Sequence, residues 1–224
     1  MKEIAAGTAG CGVLWDMDGV IADTDELHFE SWQAVLPDYG IEMTEADHKK
    51  TFGMNNKKII TILTGNEPDA DLLQEISDRK EAAFRDLARG RVEPMEGVVD
   101  WLKRFKSWGC RQAIASSAPQ ENIETLVSSM DLGKYFNAQV SGFSLPAKPD
   151  PAVYLEAASQ IGMQPLRCLV VEDAVVGVEG AKAAGMAAIG VTTTHASQAL
   201  MDADIVVESM EDLDEQAVRK LLAI

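Results

Sequence analysis

Positive charge is scarce in this sequence: 20 Lys and Arg stand against 36 Asp and Glu, a formal charge of −16. That balance opposes attraction to nucleic-acid backbones and to anionic membrane surfaces, so neither is an expected partner. Cysteine is scarcer still. Cys11, Cys110 and Cys168 are widely spaced, with no C-x-x-C pair and no His at metal-ligand spacing, which excludes the common zinc sites and leaves them as expected buried thiols of a reducing compartment. No apolar run approaches roughly 18 residues, so no membrane-spanning helix is expected. The N-terminus shows no apolar stretch behind a basic region; a secretory signal is therefore not expected and the cytoplasm is the default location. Internal repeats and low-complexity tracts are also missing. Small molecules remain as the expected partners, with a monomer favoured and the oligomeric state left open.

What is present suits an α/β core. The chain has 224 residues, 46% of them hydrophobic, enough for one core and a modest insertion. Short β-rich runs recur at 11–15, 110–116, 167–172, 187–191 and 204–207. Helical patterns follow at 97–108, 119–130, 150–160 and 175–184, with a last helix over 210–222. This alternation predicts a Rossmann-like parallel sheet with helices on both faces. Residues 25–92 break the rhythm, holding helical patterns at 25–38, 44–51, 55–64 and 69–89 but no β run. They are expected to form an inserted α-helical cap, with 1–24 and 93–224 as the core.

Ligands of parallel α/β sheets gather at the carboxyl ends of the strands. The residues there are Asp16-Met17-Asp18-Gly19, Ser116-Ser117, Lys148-Pro149 and Glu172-Asp173. Asp16 and Asp18 would face one side, about 7 Å apart if extended geometry persisted. Four carboxylates with one Lys repel unless a hard cation such as Mg²⁺ joins them, since that ion takes oxygen ligands and keeps sites for substrate phosphate. Taken singly, Asp16, Asp18, Glu172 and Asp173 also read as helix caps, Lys148 as a solvated side chain and Ser116 as a strand-end hydrogen bonder. Acid, acid, hydroxyl and cation at successive strand ends favour a site.

The run Trp15-Asp16-Met17-Asp18-Gly19-Val20-Ile21-Ala22-Asp23-Thr24 resembles the first signature of the haloacid dehalogenase superfamily. Ile114-Ala115-Ser116-Ser117, Lys148-Pro149-Asp150-Pro151 and Val171-Glu172-Asp173-Ala174 follow in that family's order. The resemblance implies a Mg²⁺-dependent phosphotransferase rather than a dehalogenase. By it, Asp16 is the nucleophile, Asp18 the acid and base, and Ser116 and Lys148 hold the phosphoryl oxygens. Asp16, the carbonyl of Asp18 and Asp173 would bind Mg²⁺ with Glu172 close by, and the insertion would be the mobile cap of subclass I.

Within the family, Asp23 to Trp32 is similar to β-phosphoglucomutase and its relatives, which implies that His28 and Trp32 lie near the hinge and the sugar. The same two residues, four apart, also suit a helix core. Phe52-Gly53-Met54-Asn55-Asn56-Lys57-Lys58 resembles the mutase loop that grips a second phosphate, so Gly53 and Lys57 are expected at the substrate, with Lys80 and Ser117. Asn56 replaces a phosphate-binding Arg, and Pro119 a Lys. These departures favour a phosphatase of small phosphorylated sugars; a phosphomutase is the alternative, and a non-catalytic binding module the third reading.

Overall fold

The computed structural model describes residues 10–51 and 53–224. Its centre is β1 (Gly12–Trp15), buried along its whole length, as a parallel strand covered on both faces must be. Side chains alternate across the sheet with the strand period of two. Val13 and Trp15 join one apolar cluster with Trp101, Phe105 and Leu126, whereas Leu14 joins another with Val170, Tyr154 and Ala157. The first cluster is built from α5 (Val98–Ser107), α6 (Gln120–Ser129) and α9 (Glu215–Leu222), and the second from α7 (Ala152–Gln160) and α8 (Val175–Ala183).

The sheet is parallel in the order β3-β2-β1-β4-β5-β6. Its remaining strands are β2 (Arg111–Ser116), β3 (Ala138–Ser141), β4 (Cys168–Glu172), β5 (Ala187–Val191) and β6 (Ile205–Val207). The chain runs outward in both directions from β1, so a crevice forms where β1, β2 and β4 end. The expected α/β class with helices on both faces is what the structure has. The strand β3 was not expected. It lies at the sheet edge and buries only Val140 of its four residues, so it carries no apolar run to read. The expected last helix likewise starts late, at Glu215, where Asp214 caps it by accepting from the Ala217 N–H at 2.7 Å.

The cysteine reading needs correction. Cys11 and Cys110 form a disulfide, and only Cys168 is free. Their separation of 99 residues conceals the pairing. The register that sets Gly12 beside Arg111 makes Cys11 and Cys110 neighbours, with Cα atoms 4.6 Å apart. The cysteines therefore give no argument for a reducing compartment. Burial pushes the Cys168 thiol up to about 11.

Between β1 and α5 lie α1 (Asp25–Val35), α2 (Glu45–Thr51), α3 (Asn56–Thr64) and α4 (Ala70–Ala88). Side chains of Asn55 and Asp69 cap α3 and α4 by accepting backbone N–H groups at 3.0 and 2.9 Å. Trp32, Val35, Leu36, Met43, Ile59, Ile60 and Ile76 give these helices a cluster of their own. Leu27 and Phe84, at the base, belong instead to the sheet's cluster. The outgoing and returning chains pair, with Ala22 bridging Pro94 and the Met95 N–H donating to the Ile21 carbonyl at 2.9 Å. Among the described residues, no helix is long and apolar enough to cross a membrane.

Alkylation of the denatured, unreduced protein should label one cysteine, Cys168, and mass spectrometry should find the other two only after reduction. Closing a loop of 99 residues restrains the unfolded chain by about 4–5 kcal/mol in the chain-entropy estimate, so reductant should lower the urea midpoint. Three labelled thiols before reduction would refute the pairing.

Candidate active site

Asp16 continues β1 by one residue, donating its N–H to the Val171 carbonyl at 3.0 Å. The chain then turns tightly, with the Ile21 N–H on the Met17 carbonyl at 3.0 Å. Gly19 sits in this turn at φ +77°, and a Cβ there would stand 2.2 Å from Asp173 Oδ2. Both the left-handed backbone and the close approach require glycine.

Glu172 ends β4 with no solvent exposure. One oxygen accepts the N–H groups of Asp173 and Ala174 at 2.8 and 2.9 Å. The other accepts the Tyr154 hydroxyl at 2.8 Å and the Lys148 ammonium. Lys148 also donates to Asp16 Oδ1 at 2.6 Å and lies over the Tyr154 ring. Asp173 accepts the Thr194 hydroxyl. Asp16, Glu172 and Asp173 each present an oxygen within 4.8 Å of the others.

One ammonium among three buried carboxylates leaves an excess of negative charge. Burial pushes the Asp16 carboxyl well above its ordinary value; Lys148 opposes this, while Glu172, Asp173 and Asp18 add to it. Burial, then Glu172, lifts Asp173 to about 7 against the pull of Thr194. Lys148 holds its proton more tightly than usual because Asp16 and Glu172 outweigh the opposing effect of burial. Hard oxygen donors short of positive charge suit a divalent cation.

Asp18 is treated differently. Burial would raise its carboxyl, but His28, Thr24 and Lys80 outweigh burial and hold it below the usual range. The Thr24 hydroxyl donates at 2.6 Å. Lys80 Nζ lies 2.9 Å from His28 Nδ1, and an ammonium only donates, so the ring proton is assigned to Nε2. That nitrogen faces Asp18 Oδ1 at 3.6 Å. Burial and Lys80 lower the His28 pKa against the pull of Asp18, which favours the neutral ring.

The structure thus gathers Asp16, Lys148, Glu172 and Asp173, and sets Asp18 beside His28 and Lys80. Ser116 is buried at the end of β2, accepting the Ala118 N–H at 3.1 Å, in a register where Ile114 is level with Trp15. Ser117 is exposed. Trp32 is 2% exposed inside the helical cluster, its ring 5.5 Å from the Lys80 ammonium. Lys57 pairs with Glu67 at 3.1 Å on the surface, and Gly53 turns in open space at φ +78°. Phe52, which opens that loop, lies outside the described residues. Sequence reasoning missed Tyr154, Thr194, Glu81 and Asn122. Of these only Thr194 left a signal, since it stands just beyond the end of β5.

The sequence profile of the haloacid dehalogenase-like hydrolases matches residues 13–191. A phosphorylated carbohydrates phosphatase of Thermotoga maritima is 33% identical over 175 residues, covering 78% of this chain and 81% of that protein. A β-phosphoglucomutase of Bacillus subtilis is 30% identical over 211 residues, 90% of either chain. Among solved structures, a family IA haloacid dehalogenase hydrolase of Entamoeba histolytica superposes with a TM-score of 0.86 at 21% identity, covering 95% of this chain and 99% of that one.

Asp173 binds its proton more tightly folded than unfolded, so it stabilises the fold most at low pH. That contribution is lost as the pH rises from 3.8 to about 7. In chelator, the melting temperature should fall over this interval more in the wild type than in Asp173→Asn. Equal pH dependence in the two proteins would contradict the assignment.

Proposed function

The chain belongs to the haloacid dehalogenase-like hydrolase family, and we propose that it is a Mg²⁺-dependent phosphatase of small phosphorylated sugars acting through a phosphoryl group carried on Asp16. One observation carries this reading. Asp16 stands at the crevice of the sheet with Lys148 at 2.6 Å, and Asp18, two residues on, is held by a separate set of partners. Two carboxylates in different environments can take different roles.

Asp16 attacks phosphorus from the side opposite the sugar oxygen. As that bond breaks, Asp18 gives the departing oxygen a proton, leaving an acyl phosphate on Asp16. Asp18 then takes a proton from water, which attacks phosphorus, and Asp16 returns as carboxylate with inorganic phosphate released. His28, Thr24 and Lys80 hold the Asp18 carboxyl below its usual range against burial, and an arriving phosphate dianion would raise its hold on a proton. Lys148 and Ser116 would bind the transferring oxygens.

The donor set fits Mg²⁺, which would supply positive charge to those oxygens when bound. Asp16, the Asp18 carbonyl and Asp173 would hold it. Glu172 already accepts four hydrogen bonds, which suits it to orienting Lys148 and Asp173 beside the ion. Residues 25–92 would serve as the cap over this crevice, with His28 and Lys80 near the substrate.

The similarity to the carbohydrate phosphatase of Thermotoga maritima supports sugar phosphates as the substrate class. A mutase reading draws support from the Bacillus subtilis relative. Hydrolysis is preferred because Asn56, where a mutase would present a phosphate-gripping Arg, donates to the Glu81 carboxylate at 3.1 Å. An anionic neighbour disfavours a second phosphate there.

Asp16→Asn should reduce turnover of any phosphate ester by at least roughly 10³-fold, as loss of a covalent nucleophile does; turnover near wild type would refute the nucleophile. Incubation with Mg²⁺, β-glucose 1-phosphate and a trace of bisphosphate should release free phosphate. Conversion to glucose 6-phosphate with little release would replace the phosphatase by the mutase.

A further inference from the structure

Glu81 joins three parts of the molecule. One oxygen accepts from Lys80 at 3.0 Å and from Asn56 of α3 at 3.1 Å. The other accepts from the side-chain amide of Asn122, on α6 of the sheet core, at 2.7 Å. Asn122 is 1% exposed, and its carbonyl accepts from Arg85 at 3.0 Å. Glu81 and Arg85 are four residues apart and so share one face of α4. Only an amide serves both: its NH₂ meets the carboxylate and its carbonyl meets the guanidinium. An Asp there would face Glu81 with like charge, and an apolar residue would leave an oxygen of the buried Glu81 carboxylate unpaired.

The chain of contacts continues inward. Glu81 and His28 are the hydrogen-bond partners of the buried Lys80 ammonium. Lys80 fixes the His28 tautomer, and His28 presents its N–H to Asp18. We propose that Asn122 is a positioning residue, which by seating α4 on α6 fixes Glu81, and through Lys80 and His28 sets the placement of Asp18. The inference rests on Asp18 acting as acid and base. Without the Asn122 amide, the Glu81 carboxylate is free to rotate and takes the Lys80 acceptor with it.

The test compares kcat/KM across aryl phosphates of graded leaving-group acidity, from phenyl to 4-nitrophenyl phosphate, because poor leaving groups need the proton most. Asn122→Asp should lose roughly tenfold on phenyl phosphate, part of the 10²–10⁴ that a positioned acid supplies, and much less on 4-nitrophenyl phosphate. The exchange Asn122→Asp with Glu81→Gln should restore the wild-type slope, because it swaps amide and carboxylate between the two positions: the new amide on α4 donates to the new carboxylate on α6 while still accepting from Lys80. Asn122→Ala, which adds no buried charge, should steepen the slope in the same direction should Asn122→Asp fold poorly. A uniform loss across the series, no loss, or an exchange no better than Asn122→Asp overturns the proposal. Asp18→Asn is the control for the reading beneath it. A wild-type slope in that variant removes the acid role and this proposal with it, whereas a steep slope there with a flat Asn122→Asp removes this proposal alone.

Discussion

The Lys148 ammonium, held between Asp16 and Glu172 at the end of the central strand, is the interaction on which the rest of the site depends. Without it the three buried carboxylates would hold protons more tightly still; Lys148 opposes that rise at Asp16 without cancelling it. Much of the surrounding structure follows from accommodating this cluster. Glu172 is fixed by two backbone N–H groups, a tyrosine and the lysine, and is packed so closely that a Cβ on Gly177 would stand 1.9 Å from it. Gly19 yields to Asp173 in the same way. Gly177 is there because a carboxylate occupies the space a side chain would take, and Gly19 for that reason together with its left-handed backbone.

A second buried lysine repeats this logic with a different result. Lys80 is balanced by a single carboxylate, Glu81, and so has positive field to spare for Asp18. Lys148 is shared among more negative charge than it can offset. Two aspartates two residues apart are pushed in opposite directions: burial lifts Asp16 against Lys148, whereas His28 and Thr24, with Lys80 adding to them, hold Asp18 down against burial. Such a split separates the roles of paired carboxylates in acid–base chemistry. It also gives a divalent cation a place where it relieves the largest charge excess, beside Asp16 and Asp173 and away from Asp18's side chain.

The sheet core was legible because β1, β4 and the second half of β2 are buried and read as short apolar runs, at whose ends Asp16, Ser116 and Glu172 stand out. The edge strand β3 was not, since Ala138–Ser141 has one buried residue and no periodicity. The Cys11–Cys110 bond was hidden because strand register is a three-dimensional fact that separation along the chain does not disclose. Tyr154 and Asn122 face inward from helices with nothing but geometry to distinguish them from core residues. The family resemblance, rather than residue type, put Trp32 and Lys57 at the substrate; Trp32 packs in the insertion's apolar cluster, as its spacing from His28 also allowed, and Lys57 pairs with a surface glutamate.

The insertion's own charges bear on what the proposed enzyme can accept. Arg79 is engaged by Asp38, Lys80 by Glu81, Arg91 by Glu30 and Lys57 by Glu67. Asn56 is turned toward the same Glu81 that holds Lys80. A phosphate placed beside Asn56 would meet the Glu81 carboxylate and compete with it for Lys80, and would thereby disturb His28 and Asp18. Neutral hydroxyls meet no such conflict, because amide and carboxylate groups can receive them without exchanging ion pairs. The geometry that orients Asp18, the proposed acid and base, thus also favours for the proposed phosphatase a substrate with a single phosphate and an uncharged far end.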